Sequence, residues 1–279
     1  MLDRLARRVR SRIRATSRSG APGALPLSFT PWQAAFCRWN GERLGIGFEQ
    51  SRARYLRSWN AIPNGHAGPE FRDFGVLQEE LYRVVAEDDE AEVHEAYRLH
   101  AWMHFLRQLS YPVPTWHADD VVLATLAARP QATIVDFGCG LAQTSISLAM
   151  ALRARHCDAR VYLADIPTVR ADFLAWFCRD QGVPFEIAAC TRDYPIPDFP
   201  YCHAIVATEV FEHLHDPLAC LERLHEALLT GGFLLTNVND HEAEFMHVTP
   251  ALGGLREQLR SWRYREIEPR ALFQKPPEA

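Results

Sequence analysis

The chain has 279 residues, 48% hydrophobic and 11% aromatic, with a formal net charge of −5. At about 150 residues per domain the length allows one large domain with a sizeable extension, and the aromatic content excludes disorder over the whole chain. The charge is uneven: residues 1–20 hold seven arginines against the single Asp3, so a head of +6 sits on a body of −11, and such a body repels nucleic-acid phosphates.

In that head Leu2, Leu5, Val9 and Ile13 recur at helical spacing beneath the arginines. The pattern reads as a surface-seeking amphipathic helix, a transit-like peptide or a solvated terminus, and leaves open a peripheral membrane or protein contact. It lacks the apolar stretch of a secretory signal, and no run of about 18 apolar residues exists to cross a membrane. The seven cysteines (37, 139, 157, 178, 190, 202, 220) are odd in number and contain no Cys-x-x-Cys. That spacing suits reduced, buried thiols and a cytoplasmic location rather than a disulfide framework or zinc knuckle.

Ser19 to Pro31 is rich in Pro, Gly and Ser and reads as a linker, so residues 1–31 form a basic head and tether. Residues 32–114 read as a helical extension, a lid that supplies the acceptor pocket. Trp32, Phe36 and Trp39, then Tyr55, Leu56 and Trp59, keep helical spacing; a loop follows through Pro63, Gly65, Gly68 and Pro69. Leu77, Leu81, Val84 and Val85, then Leu99, Met103 and Leu106, predict further helices around the acidic run Glu87 to Glu90. His100 and His104 share a face at i, i+4 but sit among Trp102, Met103 and Phe105, which suits packing better than metal binding.

After Tyr111-Pro-Val-Pro the pattern changes to short apolar strands separated by helices. The spacing predicts a helix near 118–128, strand Thr133–Phe137, helix Leu141–Arg153, strand Val161–Ala164, helix Val169–Gln181 and strand Phe185–Ala189. Strand Ala204–Ala207, helix Leu218–Leu229 and strand Phe233–Asn237 follow, then two short strands around Pro269 that pair antiparallel. Such alternation predicts an α/β, doubly wound, mainly parallel sheet over residues 115–279.

The first strand runs into Asp136-Phe-Gly138-Cys139-Gly140-Leu-Ala142. Glycines here let the backbone turn tightly and lie against a ligand without Cβ interference. A nicotinamide fingerprint needs a small residue where Gln143 stands, whereas Ala142 fits Asp-x-Gly-x-Gly-x-Gly/Ala. With Asp165 closing the second strand, Ala207-Thr-Glu209-Val-Phe-Glu212-His213 beyond the fourth and Leu229-Thr-Gly231-Gly232-Phe233 entering the fifth, the chain resembles the class I S-adenosylmethionine-dependent methyltransferases over about residues 115–273. The resemblance implies a Rossmann-like seven-stranded sheet and S-adenosyl-L-methionine as cofactor. It implies that Asp136, Gly138, Cys139, Gly140, Ile166, Thr191 and Glu209 hold the cofactor, while Asp165 takes both ribose hydroxyls. Two departures stand out: Cys190 or Thr191, with Asp193 beyond, occupies the place of a frequent adenine-binding Asp, and Cys202-His203 opens the fourth strand where Phe-Asp is frequent.

Glu209-x-x-Glu212-His213 further resembles the metal-binding segment of certain Mg²⁺-dependent O-methyltransferases, of both the ubiquinone pathway and small-RNA 2′-O-methylation. That likeness implies Mg²⁺ on Glu209, Glu212 and His213, with His241 or His247 adding a ligand; the other reading is a helix-capping, pocket-lining pair without metal. His213, His241 and His247 are the candidate catalytic bases. The leading expectation is methyl transfer to a small-molecule hydroxyl in specialised or sugar- or lipid-linked metabolism. The alternatives are RNA 2′-O-methylation, which the acidic body disfavours, and a non-catalytic cofactor-binding regulator, which the intact Asp136, Gly138, Gly140 and Asp165 disfavour.

Overall fold

Seven strands form one sheet in the order β3-β2-β1-β4-β5-β7-β6. The computed structural model describes residues 29–61, 105–106, 108–191, 195–240 and 247–277. The Arg-rich head, the predicted helices of 76–104 with His100 and His104, Asp193 and His241 lie outside the described residues. The strands are β1 (Gln131–Phe137), β2 (Asp158–Asp165), β3 (Phe185–Ala189), β4 (Cys202–Ala207), β5 (Leu228–Thr236), β6 (Arg265–Glu268) and β7 (Leu272–Gln274). β1 to β5 run parallel, and β7 pairs antiparallel with both β5 and β6.

The parallel strands are buried on both faces, so successive residues feed two different cores. Ile134, Val161, Leu163, Ala204, Val206 and Phe233 face one side. Val135, Phe137, Ala164, Ile205, Ala207 and Leu234 face the other. The first core is closed by α3 (Val121–Ala127), α4 (Gln143–Arg153) and α5 (Val169–Asp180), the second by α6 (Pro217–Ala227) and α7 (Gly253–Ser261).

Two N-terminal helices, α1 (Pro31–Leu44) and α2 (Phe48–Ala61), add to the first core. Thr30 caps α1 with a full capping box to Gln33, Pro31 occupies the first turn, and Gly45 ends the helix at φ 64°. Trp32 stacks on Phe177 with ring centroids 4.1 Å apart, and Phe36 and Trp39 meet Phe105 and Phe173. Buried Gln33 donates to the Tyr55 hydroxyl at 2.9 Å, which ties α1 to α2. These aromatic residues place α1 along α5, beside the sheet.

Two element ends differ from the sequence pattern. Helix α4 starts at Gln143 because Ala142 takes φ 52° as its cap. Helix α6 ends at Ala227, and Gly231 and Gly232 lie inside β5 rather than in a turn before it. Leu228 pairs with Cys202 and Phe233 with Ala204, so the stretch between them bulges, with Gly231 at φ 72°. Lys275, the chain's only lysine, donates to the carbonyls of His225 and Leu228 at 2.7 Å each and caps the end of α6. His203 Nδ1 accepts from the Thr133 N–H at 3.1 Å and pins β4 to β1.

Among the described residues no helix is long and apolar enough to cross a membrane. All seven cysteines are free and buried.

Candidate functional site

Among the described residues singled out in the sequence, Asp136, Asp165, Glu209, Glu212 and His213 lie at or just beyond the carboxyl ends of β1, β2 and β4. Strand order reverses between β1 and β4, where an open parallel sheet leaves a crevice for a ligand. Beyond β1, Gly138 and Gly140 take φ 64° and 52°. A Cβ on Gly138 would overlap Val210 Cγ2, and one on Gly140 would lie 2.6 Å from Gln108 Nε2. Positive φ favours glycine at both positions, and at Gly138 the packed Val210 side chain adds a second demand. Asp136 is buried and accepts from Ser145 Oγ at 2.5 Å, which joins β1 to α4. Burial pushes its carboxyl well above the usual range, and neighbouring Asp165 pushes the same way. Cys139 donates its N–H to the Ala164 carbonyl at 3.1 Å, and burial raises its thiol too.

Asp165, at the end of β2, projects toward the glycine loop. Its Oδ2 accepts from the Gly140 N–H and its Oδ1 from the Ile166 N–H, both at 2.7 Å. Thr191, just past β3, is exposed, and Cys190 donates its N–H to the Asp165 carbonyl at 2.8 Å.

The segment after β4 presses on the glycine loop through Val210. Glu209 adopts φ 56°, a conformation uncommon for a residue with a Cβ. Asn237, at the carboxyl end of β5, holds it from two sides: Oδ1 accepts from the Glu209 N–H at 2.7 Å and Nδ2 donates to Glu209 Oε1 at 2.5 Å. A single 3₁₀ turn over Phe211–His213 then buries Glu212 completely. Burial lifts the Glu212 carboxyl to about 7, and the nearby Glu209 charge adds to the rise. The His213 and His247 rings lie 5.1 Å apart, and His213 Nε2 is 4.0 Å from Glu212 Oε1. Thr249 returns the chain past this turn, donating its N–H to the Glu212 carbonyl and its hydroxyl to the Leu214 carbonyl.

The methyltransferase-domain family model matches residues 99–275, more than half of the chain. The chain belongs to the class I S-adenosylmethionine-dependent methyltransferases. No curated protein matches it. Similar solved structures include TehB from Haemophilus influenzae, 19% identical over 57% of this chain and 59% of that one, with TM-score 0.40. Another is precorrin-6y C5,15-methyltransferase from Geobacter metallireducens, 14% identical over 52% and 70%, with TM-score 0.36. A third is coclaurine N-methyltransferase bound to N-methylheliamine and S-adenosylhomocysteine, 15% identical over 66% and 57%, with TM-score 0.39.

In this methyltransferase the ligating atoms of Glu212, His213 and His247 lie within 4.8 Å of one another. Glu209, grouped with them in the sequence motif, stands outside that set, its carboxylate bonded to Asn237. Two imidazoles and one carboxylate suit Zn²⁺ or Mn²⁺ better than oxygen-seeking Mg²⁺. Four further residues shape the site: Gln108, Ser145, Arg170 and Asn237. Asn237 was within reach of sequence reasoning, because ligands of open α/β sheets gather at strand carboxyl ends. Gln108 and Arg170 carried no such signal; only the fold brings them to the glycine loop.

Proposed function

We propose that this methyltransferase methylates a hydroxyl of a small-molecule acceptor, with His213 drawing off the hydroxyl proton and His247 beside it. The observation that carries this reading is the buried Glu212 carboxyl grouped within 4.8 Å of the His213 and His247 imidazoles, in the turn beyond β4 that follows Val210, the residue packed on Gly138. When bound, S-adenosylmethionine supplies a methyl group open to in-line displacement.

The chain's own residues divide the remaining work. Gly138 and Gly140 let the loop turn at positive φ and pack against Val210 and Gln108, and a ligand would lie along the loop's backbone. Asp165 and Ile166 face the ribose, Cys139 and Asp136 support the loop from beneath, and Thr191 borders the adenine side. Glu209, fixed by Asn237, lines the acceptor side. His213 faces Glu212 at 4.0 Å, and in its ionised form, favoured above about pH 7, that carboxylate stabilises the imidazolium that forms when the imidazole accepts a proton. A divalent ion would be held by Glu212, His213 and His247, and would acidify the acceptor hydroxyl in place of the imidazole.

The test is product analysis with matched acceptors that differ only in hydroxyl against amine. The expected result is O-methyl product, with His213→Ala losing roughly 10²–10⁴-fold in kcat while S-adenosylhomocysteine still binds. Methylation of the amines alone, or normal turnover by His213→Ala, would sink the proposal. Activity that survives EDTA assigns the proton to the imidazole; activity that returns only with Zn²⁺ or Mn²⁺ assigns it to the ion. An acceptor of RNA is tested by filter binding at low salt with the chain that lacks residues 1–20; its −11 charge predicts no retention.

A further inference from the structure

We infer that Arg170 is a positioning residue for the cofactor ribose, holding Asp165 in place and linking it through Gln108 to the helical region before β1. The inference rests on the reading of Asp165 as the ribose-binding carboxylate.

Arg170 is the second residue of α5, and only 8% of its surface is exposed. A cation there is uphill twice. It sits at the positive end of the helix dipole, and it is buried, where charge needs a partner. Its partners show what the guanidinium does. Nε donates to Thr168 Oγ1 at 3.2 Å, Nη2 lies 3.3 Å from Asp165 Oδ2, and Nη1 reaches Gln108 Oε1 at 3.5 Å. Thr168 is also the N-cap of α5, so the helix start and the guanidinium share one anchor. Gln108 in turn stretches its amide over Gly140.

The result is one polar chain, Gln108–Arg170–Asp165–Gly140, across the lip of the cofactor crevice. A carboxylate has about four acceptor positions. Asp165 uses two of them on the Gly140 and Ile166 N–H groups, and the Arg170 guanidinium pairs with Oδ2 at 3.3 Å, which leaves positions open to the ribose hydroxyls. Of these partners, Arg170 alone carries charge, and its ion pair keeps the carboxylate aimed while ribose hydroxyls approach. A charged hydrogen-bond acceptor held in one orientation binds a hydroxyl pair more tightly than one free to rotate, because the ordering is already done.

Calorimetry of the full chain with S-adenosylhomocysteine and with its 2′,3′-dideoxy analogue decides the matter. Wild type should prefer the natural ligand by at least about tenfold. Arg170→Met should weaken S-adenosylhomocysteine by about tenfold and leave the dideoxy analogue unchanged, so the preference collapses. Arg170→Lys should restore part of it, and Gln108→Ala should lower it in the same direction by less. Melting curves of each variant check folding, and if Arg170→Met does not fold, the Lys and Gln108 variants carry the decision. Equal loss for both ligands, or tighter binding of S-adenosylhomocysteine, would overturn the positioning role. A wild type that does not distinguish the two ligands would instead overturn the ribose reading of Asp165, and this inference with it.

Discussion

Asn237 meets Glu209 with both ends of its amide, and that double contact stabilises a backbone conformation Glu209 would otherwise leave. A non-glycine residue in this region costs on the order of 1 kcal/mol and persists only where its surroundings over-determine it. Asn237→Ala removes both bonds at a site only 3% exposed. The expected loss is about 1–3 kcal/mol in denaturant unfolding, with a fall in kcat as the Glu209 carboxylate drifts. Unfolding that matches wild type would show the strain to be held elsewhere. His203 makes a second residue-scale prediction. Its Nδ1 accepts the Thr133 N–H, so that nitrogen must be unprotonated. Burial, then the Arg129 charge, lowers its pKa below the ordinary value. Folded His203 thus takes up a proton later than the unfolded chain. Its contribution is complete above the unfolded value near 6.5 and is lost as pH falls from there toward the folded value. His225, half-buried, stacked on Trp262 and near Lys275, has the same sign. Asp136 and Glu212, raised by burial, act oppositely, so the informative quantity is a difference. Denaturant midpoints measured from pH 7.5 to 5 should fall less steeply in His203→Asn, whose amide oxygen can still accept. Parallel curves for wild type and variant would refute the assignment.

Elements, more than single residues, set which glycines can be replaced. Gly138 and Gly182 share a φ of 64°, so alanine at either is strained by about 1–2 kcal/mol. Only at Gly138 would the new methyl overlap a neighbour, Val210 Cγ2, in the segment after β4. Gly138→Ala should therefore push the Glu209–His213 turn from the glycine loop and abolish S-adenosylhomocysteine binding by calorimetry, and adding Val210→Ala should recover part of it. Gly182→Ala, with open space around it, should keep full affinity at a modest loss of stability. Equal behaviour of the two would show that conformation, not contact, is what the loop needs. The sequence made these elements legible because buried parallel strands are short apolar runs and their connecting helices carry 3.6-residue spacing, as in Thr133–Phe137 and Val169–Asp180. It misled at Gly231-Gly232, since two glycines after a helix look like a stop signal whether they form a turn or a strand bulge. Asp136, Gly138, Gly140 and Asp165 could be read because their roles are local to a strand end. Gln108 could not, because it acts on Gly140 and Arg170 from far along the chain, and Arg170 could not, because a cation in the first turn of a helix carries no signal of the strand end it serves.

At the scale of the whole molecule, the N-terminal helices and the basic head stand in different relations to the catalytic sheet. Trp32, Phe36, Trp39 and Tyr55 are buried in the same core as Ile134, Leu163 and Phe173, so α1 and α2 complete one face of the fold. Removing residues 1–61 would bare that aromatic surface, and the truncated chain should aggregate or melt well below the full chain. The arginines at 4, 7, 8, 10, 12, 14 and 18 precede Thr30, where the α1 capping box begins, and the Ser19–Pro31 stretch stands between. A segment with this separation should act additively with the site. Deleting residues 1–20 should leave S-adenosylhomocysteine affinity within about twofold and the melting temperature unchanged. The same deletion removes +6 of charge and leaves −11, so any binding to anionic vesicles at low salt should vanish with it. Vesicle binding that survives the deletion would move the basic contact into the enzyme body, against its net charge. A large loss of cofactor affinity would make the head part of the catalytic unit.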